Sequence, residues 1–247
     1  DRYYFYFVHS YILHASGNGQ VALTSAEAGQ HEFELMENDM YLHITNCFQL
    51  GRVHHLLGNL ETAYHYLSTG VRMFQEHKLG WGKGLMLTEL GFLAETTGQT
   101  NKALDYYEAV LAAVTEWEEV WNYYRTRISI GRVKLALGEI QEAIAIFYAT
   151  LQGLQSNPQI GLEIDCFVEV ALVLKHLGHT SEAMLLLEYC SHHSECFQPV
   201  RDRAADYLHK RFAEVLTPNR AEQHLFPVAK QDVTAMLLKR LRKATDR

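Results

Sequence analysis

The sequence contains four short segments that recur at intervals of 40 residues: Leu57-Gly58-Asn59, Thr97-Gly98-Gln99, Leu137-Gly138-Glu139 and Leu177-Gly178-His179. Chance does not produce four such units in register, so the chain is built from one structural unit used four times. Glycine adopts a left-handed backbone conformation cheaply, which makes it the usual residue just after the end of a helix. The four glycines therefore predict four turns between consecutive helices.

Small and large residues keep the same register around these glycines. Five residues after each glycine comes an alanine, and four residues further on a large apolar side chain, in the pairs Ala63 and Leu67, Ala103 and Tyr107, Ala143 and Phe147, and Ala183 and Leu187. Seven residues before each glycine lies another small residue, at Gly51, Gly91, Gly131 and Ala171. Small residues let two helices approach closely, so each unit is predicted to be a helical hairpin.

The rest of the chain favours helices as well. All four prolines lie at Pro158 or later, which permits long helices over most of the chain. Residues 101–114 and 140–154 carry apolar side chains at intervals of three and four residues, the spacing of one helical face. The predicted fold class is all-α, an α-α superhelix in which stacked hairpins cover one another's apolar faces.

These columns resemble the tetratricopeptide repeats (TPR), whose leucine-glycine, second glycine, alanine and aromatic positions match them. The resemblance covers about residues 41–200 and implies four TPR-like repeats, at 41–80, 81–120, 121–160 and 161–200. Residues 1–40 are expected to form an N-terminal helical cap or linker, with helices at 2–15 and 25–40. Residues 201–247 are expected to form a C-terminal helical cap, with helices at 200–216 and 228–243.

The length of the repeat and the junction Leu79-Gly80-Trp81-Gly82-Lys83-Gly84 are similar to the repeats of bacterial STAND regulators, the signal-transduction ATPases with numerous domains. This resemblance implies a sensor region of a transcription regulator. The sensor receives an inducer or a partner protein and then releases an upstream nucleotide-binding module of the same chain. The same columns occur in animal polarity scaffolds and bacterial peptide-pheromone sensors. A stand-alone TPR scaffold or peptide-binding adaptor that assembles protein partners therefore stays open as the alternative.

Composition excludes several classes of protein. The chain is 48% hydrophobic and 21% charged, without a run of 18 apolar residues, which excludes a disordered or a membrane-spanning chain. Its formal net charge of −7 repels phosphate backbones, so direct nucleic-acid binding is not expected. The chain begins at Asp1 without a secretion signal, and its four cysteines are scattered. We expect a fragment of a longer, cytoplasmic protein with reduced thiols and no membrane contact.

Two motifs that could carry chemistry have simpler explanations. The segment Gly80-Trp81-Gly82-Lys83-Gly84 lacks the serine or threonine and the preceding strand of a phosphate-binding loop. The group Cys190, His192, His193 and Cys196 offers zinc ligands, but Cys190 lies on a core column and no second ligand pair is near in sequence. No nucleophile lies in a catalytic motif. The sequence therefore predicts no enzymatic activity, no metal site and no cofactor.

The candidate binding residues lie on one face of the first helices of the repeats. The TPR resemblance implies that this face lines a groove. The predicted ligand-binding set is Gln49, Arg52, His55, Glu89, Phe92, Arg125, Ser129, Arg132 and Lys175. Arginine forks suit carboxylates and phosphates, so the expected partner is an anionic peptide segment or a small acidic inducer. An equally open alternative is that Arg125 and Arg132 form ion pairs with Glu89, Asp165 or Glu169 of adjacent repeats.

Charge is segregated at the C-terminal end. Residues 228–247 contain six basic and two acidic residues, or +4, which leaves −11 for residues 1–227. The stripe Val233, Leu237 and Leu241 predicts a helix that caps the open end of the stack. The alternative for this helix is docking of its basic face on a membrane or an acidic partner.

Overall fold

The computed structural model describes residues 10, 18–34, 40–77, 82–113, 120–212 and 230–245. Within these ranges the chain forms eleven helices and no β-strand. The helices are α1 (Gly19–Glu34), α2 (Met40–Leu56), α3 (Leu60–Glu76), α4 (Lys83–Thr96), α5 (Thr100–Ala113), α6 (Val120–Ala136), α7 (Ile140–Ser156), α8 (Ile160–His176), α9 (Thr180–His192), α10 (Gln198–Phe212) and α11 (Lys230–Thr245). The chain divides into two compact units, Asp1–Thr126 and Arg127–Arg247, with the boundary inside α6.

The four predicted turn glycines all adopt the left-handed conformation, with φ between +71° and +85°. At the first turn, the N–H of Gly58 donates to the carbonyl of His55 at 3.0 Å, and the N–H of Asn59 donates to the carbonyl of His54 at 2.8 Å. This pair of bonds is the Schellman motif, which satisfies two carbonyls left over at the end of a helix. The same two bonds recur at the other three turns. The hairpins therefore owe their turns to local sequence.

The small-residue column lies against the large-residue column. A Cβ atom added to Gly51 would lie 2.6 Å from Cγ of Leu67, and one added to Gly131 would lie 2.5 Å from Cε1 of Phe147. A Cβ atom on Gly91 would overlap the ring of Tyr107. These large side chains are fully buried, so the two helices of each hairpin meet where the sequence register predicts.

In the first unit, α1 packs against α2, α2 against α3, α3 against α4, and α4 against α5. One core cluster joins Ile44 and Cys47 of α2 with Met73 and Phe74 of α3 and Met86 of α4. Because α4 supplies side chains to the core of the preceding hairpin, neighbouring hairpins in this unit share apolar surface.

In the second unit, α8 packs against α7 and α9, and α10 packs against α8 and α9. The C-terminal helix α11 packs against α7 and buries Val233, Leu237 and Leu241 completely. Arg240 of α11 also holds Glu182 of α9, with Nε at 3.1 Å and Nη2 at 2.5 Å from its carboxylate oxygens. The apolar stripe of α11 is therefore buried along α7, while α10 covers the last hairpin.

The flanking helices differ in position from the sequence prediction. Helix α1 begins at Gly19, six residues before the predicted start, because the carbonyl of Asn18 already accepts a hydrogen bond from the N–H of Ala22 at 2.9 Å. Met40 begins α2 instead of ending the preceding helix. The helix predicted at residues 2–15 lies outside the described residues apart from Ser10.

Candidate functional site

In the first unit, two arginines share one buried carboxylate. The side chain of Glu89 in α4 is 4% exposed, and its Oε1 lies 3.3 Å from Nε of Arg52 and 2.9 Å from Nη2 of Arg125. Arg52 comes from α2 and Arg125 from α6, so the cluster joins three first helices. Burial of a lone carboxylate would be costly, and two guanidinium groups compensate it. Counted by formal charge, these three groups carry +1.

Aromatic rings lie against both arginines. The Cζ atom of Arg125 lies 4.4 Å from the ring centroid of Phe92 and 5.0 Å from the ring of Trp121. The Cζ atom of Arg52 lies 5.1 Å from the ring centroid of Phe48. Guanidinium groups favour such positions because the negative face of the ring attracts the cation. Trp121 and Phe48 each precede their arginine by four residues, one helical turn.

His55 and Gln49 accompany this cluster on α2. Gln49 is buried, and His55 contacts Thr96 of α4 through Nε2, at 2.9 Å from the hydroxyl oxygen. The Thr96 hydroxyl donates to the carbonyl of Phe92, so Nε2 of His55 is the donor to Thr96. Burial lowers the pKa of His55, and the nearby Arg125 lowers it further against the opposing effect of Glu89. His55 is therefore neutral at pH 7.

In the second unit, the predicted residues form a balanced cluster. Glu169 of α8 is fully buried and lies 3.6 Å from Nη1 of Arg132 and 3.0 Å from Nε of Arg203, which also pairs with Asp165. Ser129 accepts a bond from Nη2 of Arg132 at 3.4 Å. Two arginines and two carboxylates leave no formal charge on this cluster, in contrast to the cluster around Glu89.

Lys175 does not reach the Arg132 cluster with its amino group. Its Nζ atom donates to the carbonyl of Arg211 and lies 4.6 Å from the ring centroid of Phe212. Both partners belong to the last turn of α10. In the described structure this lysine therefore fastens the end of α10 to α8.

Arg203 and Trp121 were absent from the predicted set, although the sequence holds a signal for each. Arg52 precedes Glu89 by 37 residues, as Arg132 precedes Glu169, and Arg125 and Arg203 follow their carboxylates by 36 and 34 residues. Trp121 lies one turn before Arg125. The pairing of charges between neighbouring repeats, extended into residues 201–247, identifies Arg203 as a partner of Asp165 and Glu169.

The group Cys190, His192, His193 and Cys196 is not assembled as a ligand set. The Cys190 thiol donates to the carbonyl of Ile164, and the ring of His193 packs against Tyr189. Across the ranges that the structure describes, no three histidine, cysteine or acidic side chains are placed to hold a metal ion. Gly80 and Trp81 of the glycine-rich junction lie outside those ranges, and Lys83 begins α4 directly after Gly82.

Comparison with known proteins identifies the fold. No protein-family model matches the chain, and no curated protein matches it. Among solved structures, a Rap protein complexed with Competence and Sporulation Factor superposes with a TM-score of 0.70 at 13% identity, over 99% of this chain and 66% of that one. Aspartyl phosphate phosphatase F from Bacillus subtilis gives a TM-score of 0.68 at 15% identity, over 98% of this chain and 61% of that one.

The TPR-like repeats of a kinesin light chain from Podosopora anserina superpose with a TM-score of 0.56 at 17% identity, over 83% of this chain and 95% of theirs. The chain thus has a TPR-like helical-repeat fold, which confirms the predicted fold class. It spans about two thirds of the Rap protein and of the phosphatase. No helix in the described part of the chain combines the length and the apolar character needed to cross a membrane.

Proposed function

We propose that this chain is a non-enzymatic recognition domain that binds an anionic segment of a protein or peptide partner at Arg52, Arg125 and Phe92. The observation that carries this proposal is the placement of Arg125, which lies at the buried Glu89 and over the ring of Phe92 while part of its side chain stays exposed. One carboxylate holds two guanidinium groups, and each guanidinium has five donors. A carboxylate of the partner would accept charge-assisted hydrogen bonds from the exposed part of Arg125.

The exposure of the cluster selects Arg125 as its contact residue. The side chain of Arg125 is 15% exposed, whereas that of Glu89 is 4% exposed, so a partner meets the arginine before the acid. Phe92 is half-buried beside it and offers an apolar surface next to the charge. A planar cation held between two rings loses little freedom on binding, which favours affinity.

The similar solved structures support recognition as the function. One of them is a Rap protein complexed with Competence and Sporulation Factor, a helical-repeat protein in a complex. Another is named a phosphatase, but at 15% identity the likeness extends to the fold alone, and the proposed binding needs no catalytic step. The predicted contributions of Ser129, Arg132 and Lys175 to ligand binding stay predictions.

Within this function we propose the sensor region of a bacterial STAND-type ATPase regulator, which receives a partner protein or a small anionic inducer. The support is the 40-residue repeat and its resemblance to such regulators. The alternative is a stand-alone scaffold or peptide-binding adaptor. Sequencing the rest of the gene separates the two, because the regulator requires an upstream phosphate-binding loop and the scaffold does not.

A peptide array tests the binding proposal. Each pair of peptides carries either one aspartate or glutamate beside an apolar residue, or the matching asparagine or glutamine. We expect the chain to prefer the acidic member, and Arg125→Gln to lose that preference by about tenfold in affinity. Removing Arg125 leaves Glu89 paired with Arg52, so the variant keeps a compensated core.

The control is Arg72→Gln, which removes an equal charge from an exposed ion pair with Glu76 on α3. This variant should retain the acidic preference. An equal preference for both peptides of a pair, or an acidic preference that survives in Arg125→Gln, would contradict the proposed site.

A further inference from the structure

A second concentration of positive charge lies on the C-terminal helix, in the second unit. Lys239, Arg242 and Lys243 of α11, with Leu238 and with Tyr148 of α7, line a cavity of about 340 Å³. We call these five residues the basic patch. The three cationic side chains are exposed, so a partner in solution can reach them.

The cations of the basic patch differ in their contacts from the arginine beside them. None of Lys239, Arg242 and Lys243 forms an ion pair with an acidic residue that the structure describes. Their neighbour Arg240 differs, because it binds both carboxylate oxygens of Glu182 and fastens α11 to α9. Among the described residues, one arginine of this helix therefore serves the structure, while three exposed cationic groups lie at one cavity.

Tyr148 adds a hydrogen-bond donor to the same cavity. Its hydroxyl oxygen accepts a bond from Nε2 of Gln152 at 3.1 Å. A hydroxyl that accepts one bond still has its own proton to donate. A carboxylate in the cavity can therefore accept a hydrogen bond from the phenolic O–H of Tyr148 and one or two charge-assisted bonds from the guanidinium of Arg242.

We propose that the basic patch is a docking site for an acidic segment of a partner protein, distinct from the Glu89 cluster. Charge complementarity identifies this occupant, since three exposed cations line one cavity. The formal charge of −11 on the other residues of the chain disfavours a long nucleic acid, whose phosphates would extend beyond the patch. The buried stripe Val233, Leu237 and Leu241 leaves α11 without the apolar face that an interfacial helix inserts into lipid.

The experiment uses the whole chain and fluorescein-labelled hexaglutamate, followed by fluorescence anisotropy. We expect the double variant Arg242→Gln/Lys243→Gln to bind the peptide about tenfold more weakly than the unmodified chain. We expect Tyr148→Phe, which removes only the hydroxyl, to weaken binding about threefold. The matched control is Arg72→Gln/Lys210→Gln, which removes the same charge from exposed positions on α3 and α10 and should bind like the unmodified chain.

Three results would overturn the proposal. An equal loss in the control variant means that net charge alone governs binding. Unchanged binding in both patch variants, with a lower melting temperature of the double variant, means that the cations only stabilise the C-terminal end of α11. Tighter, Arg242-dependent binding of single-stranded oligothymidine or of phosphatidylserine vesicles assigns the patch to nucleic acid or to membrane. Hexaglutamate lacks the apolar residue that Phe92 would contact at the Arg125 site. Arg125→Gln should therefore leave its binding unchanged, so the two sites fail independently.

Discussion

Replacing Gly131 by alanine tests the packing between the two helices of a repeat. The added Cβ atom would lie 2.5 Å from Cε1, 2.7 Å from Cζ and 3.1 Å from Cδ1 of Phe147. Phe147 is fully buried, so its ring has no solvent-filled space into which it can move. The helices must therefore separate or the ring must leave its preferred rotamer.

Two opposing effects set the change in unfolding free energy for Gly131→Ala. Alanine is favoured over glycine inside a helix by about 1 kcal/mol, whereas overpacking a buried contact costs about 1–3 kcal/mol. With three ring atoms closer than ordinary contact distance, we expect overpacking to prevail and Gly131→Ala to lose about 1–2 kcal/mol of unfolding free energy. Urea unfolding followed by circular dichroism at the helical band measures this change.

Gly161→Ala is the matched control in the same unit. Its Cβ atom would lie 2.7 Å from Cε2 of Phe197, but that side chain is 38% exposed and can rotate into solvent. This variant should be unchanged or gain up to about 1 kcal/mol from helix propensity. A stabilised Gly131→Ala would refute the reasoning, because it would mean that the small column is not a point of close approach.

A second variant separates overpacking from other effects. Gly131→Ala/Phe147→Leu recreates the combination of Ala171 and Leu187 in the fourth repeat. The double variant should be more stable than the sum of the two single effects predicts, by at least about 0.5 kcal/mol. Strict additivity would show that residues 131 and 147 do not share the contact.

Three further predictions concern local features. Gly138→Ala places a Cβ atom at φ +80° and should cost about 1–2 kcal/mol in urea unfolding, with Gly138→Asn costing less. Burial lowers the folded-state pKa of His55 below its usual 6.5, so the folded chain binds fewer protons than the unfolded chain and loses stability as pH falls below 6.5. Unfolding at several pH values should show a shallower loss of stability for His55→Gln than for the unmodified chain. An equal loss in the two would contradict this prediction. Burial raises the pKa of Cys47 to about 11 and that of Cys196 to about 12, so a disulfide reagent at pH 8 should label these thiols slowly until denaturant is added.

The sequence predicted the repeat columns well because their physics is local. A left-handed turn at Gly58 or Gly138 depends on glycine and on hydrogen bonds within six residues. The flanks carry no such repeat, and there the prediction missed the start of α1 at Gly19, where the carbonyl of Asn18 begins the helix.

The sequence predicted ion pairs of Arg125 and Arg132 with Glu89, Asp165 or Glu169 as one of two alternatives, and the structure pairs Arg125 with Glu89 and Arg132 with Glu169. The column arithmetic selected Arg52, Glu89 and Arg125, and the structure brings these three together. The sequence could not show that Lys175 instead reaches the end of α10, because a long flexible side chain can reach several neighbouring helices. The binding role of the site is a matter for the peptide array.

The sequence by itself determined the all-helical fold, its hairpins and their turns, since periodicity, glycine conformation and small-large pairing act over short distances along the chain. Only the tertiary structure decided which charges meet. The ion pairs described around Glu89 and Glu169 join residues 34–38 positions apart, as in Arg52 with Glu89 and Arg203 with Asp165. Whether two such side chains meet depends on how the helices are rotated and spaced, and packing of the whole core sets that geometry.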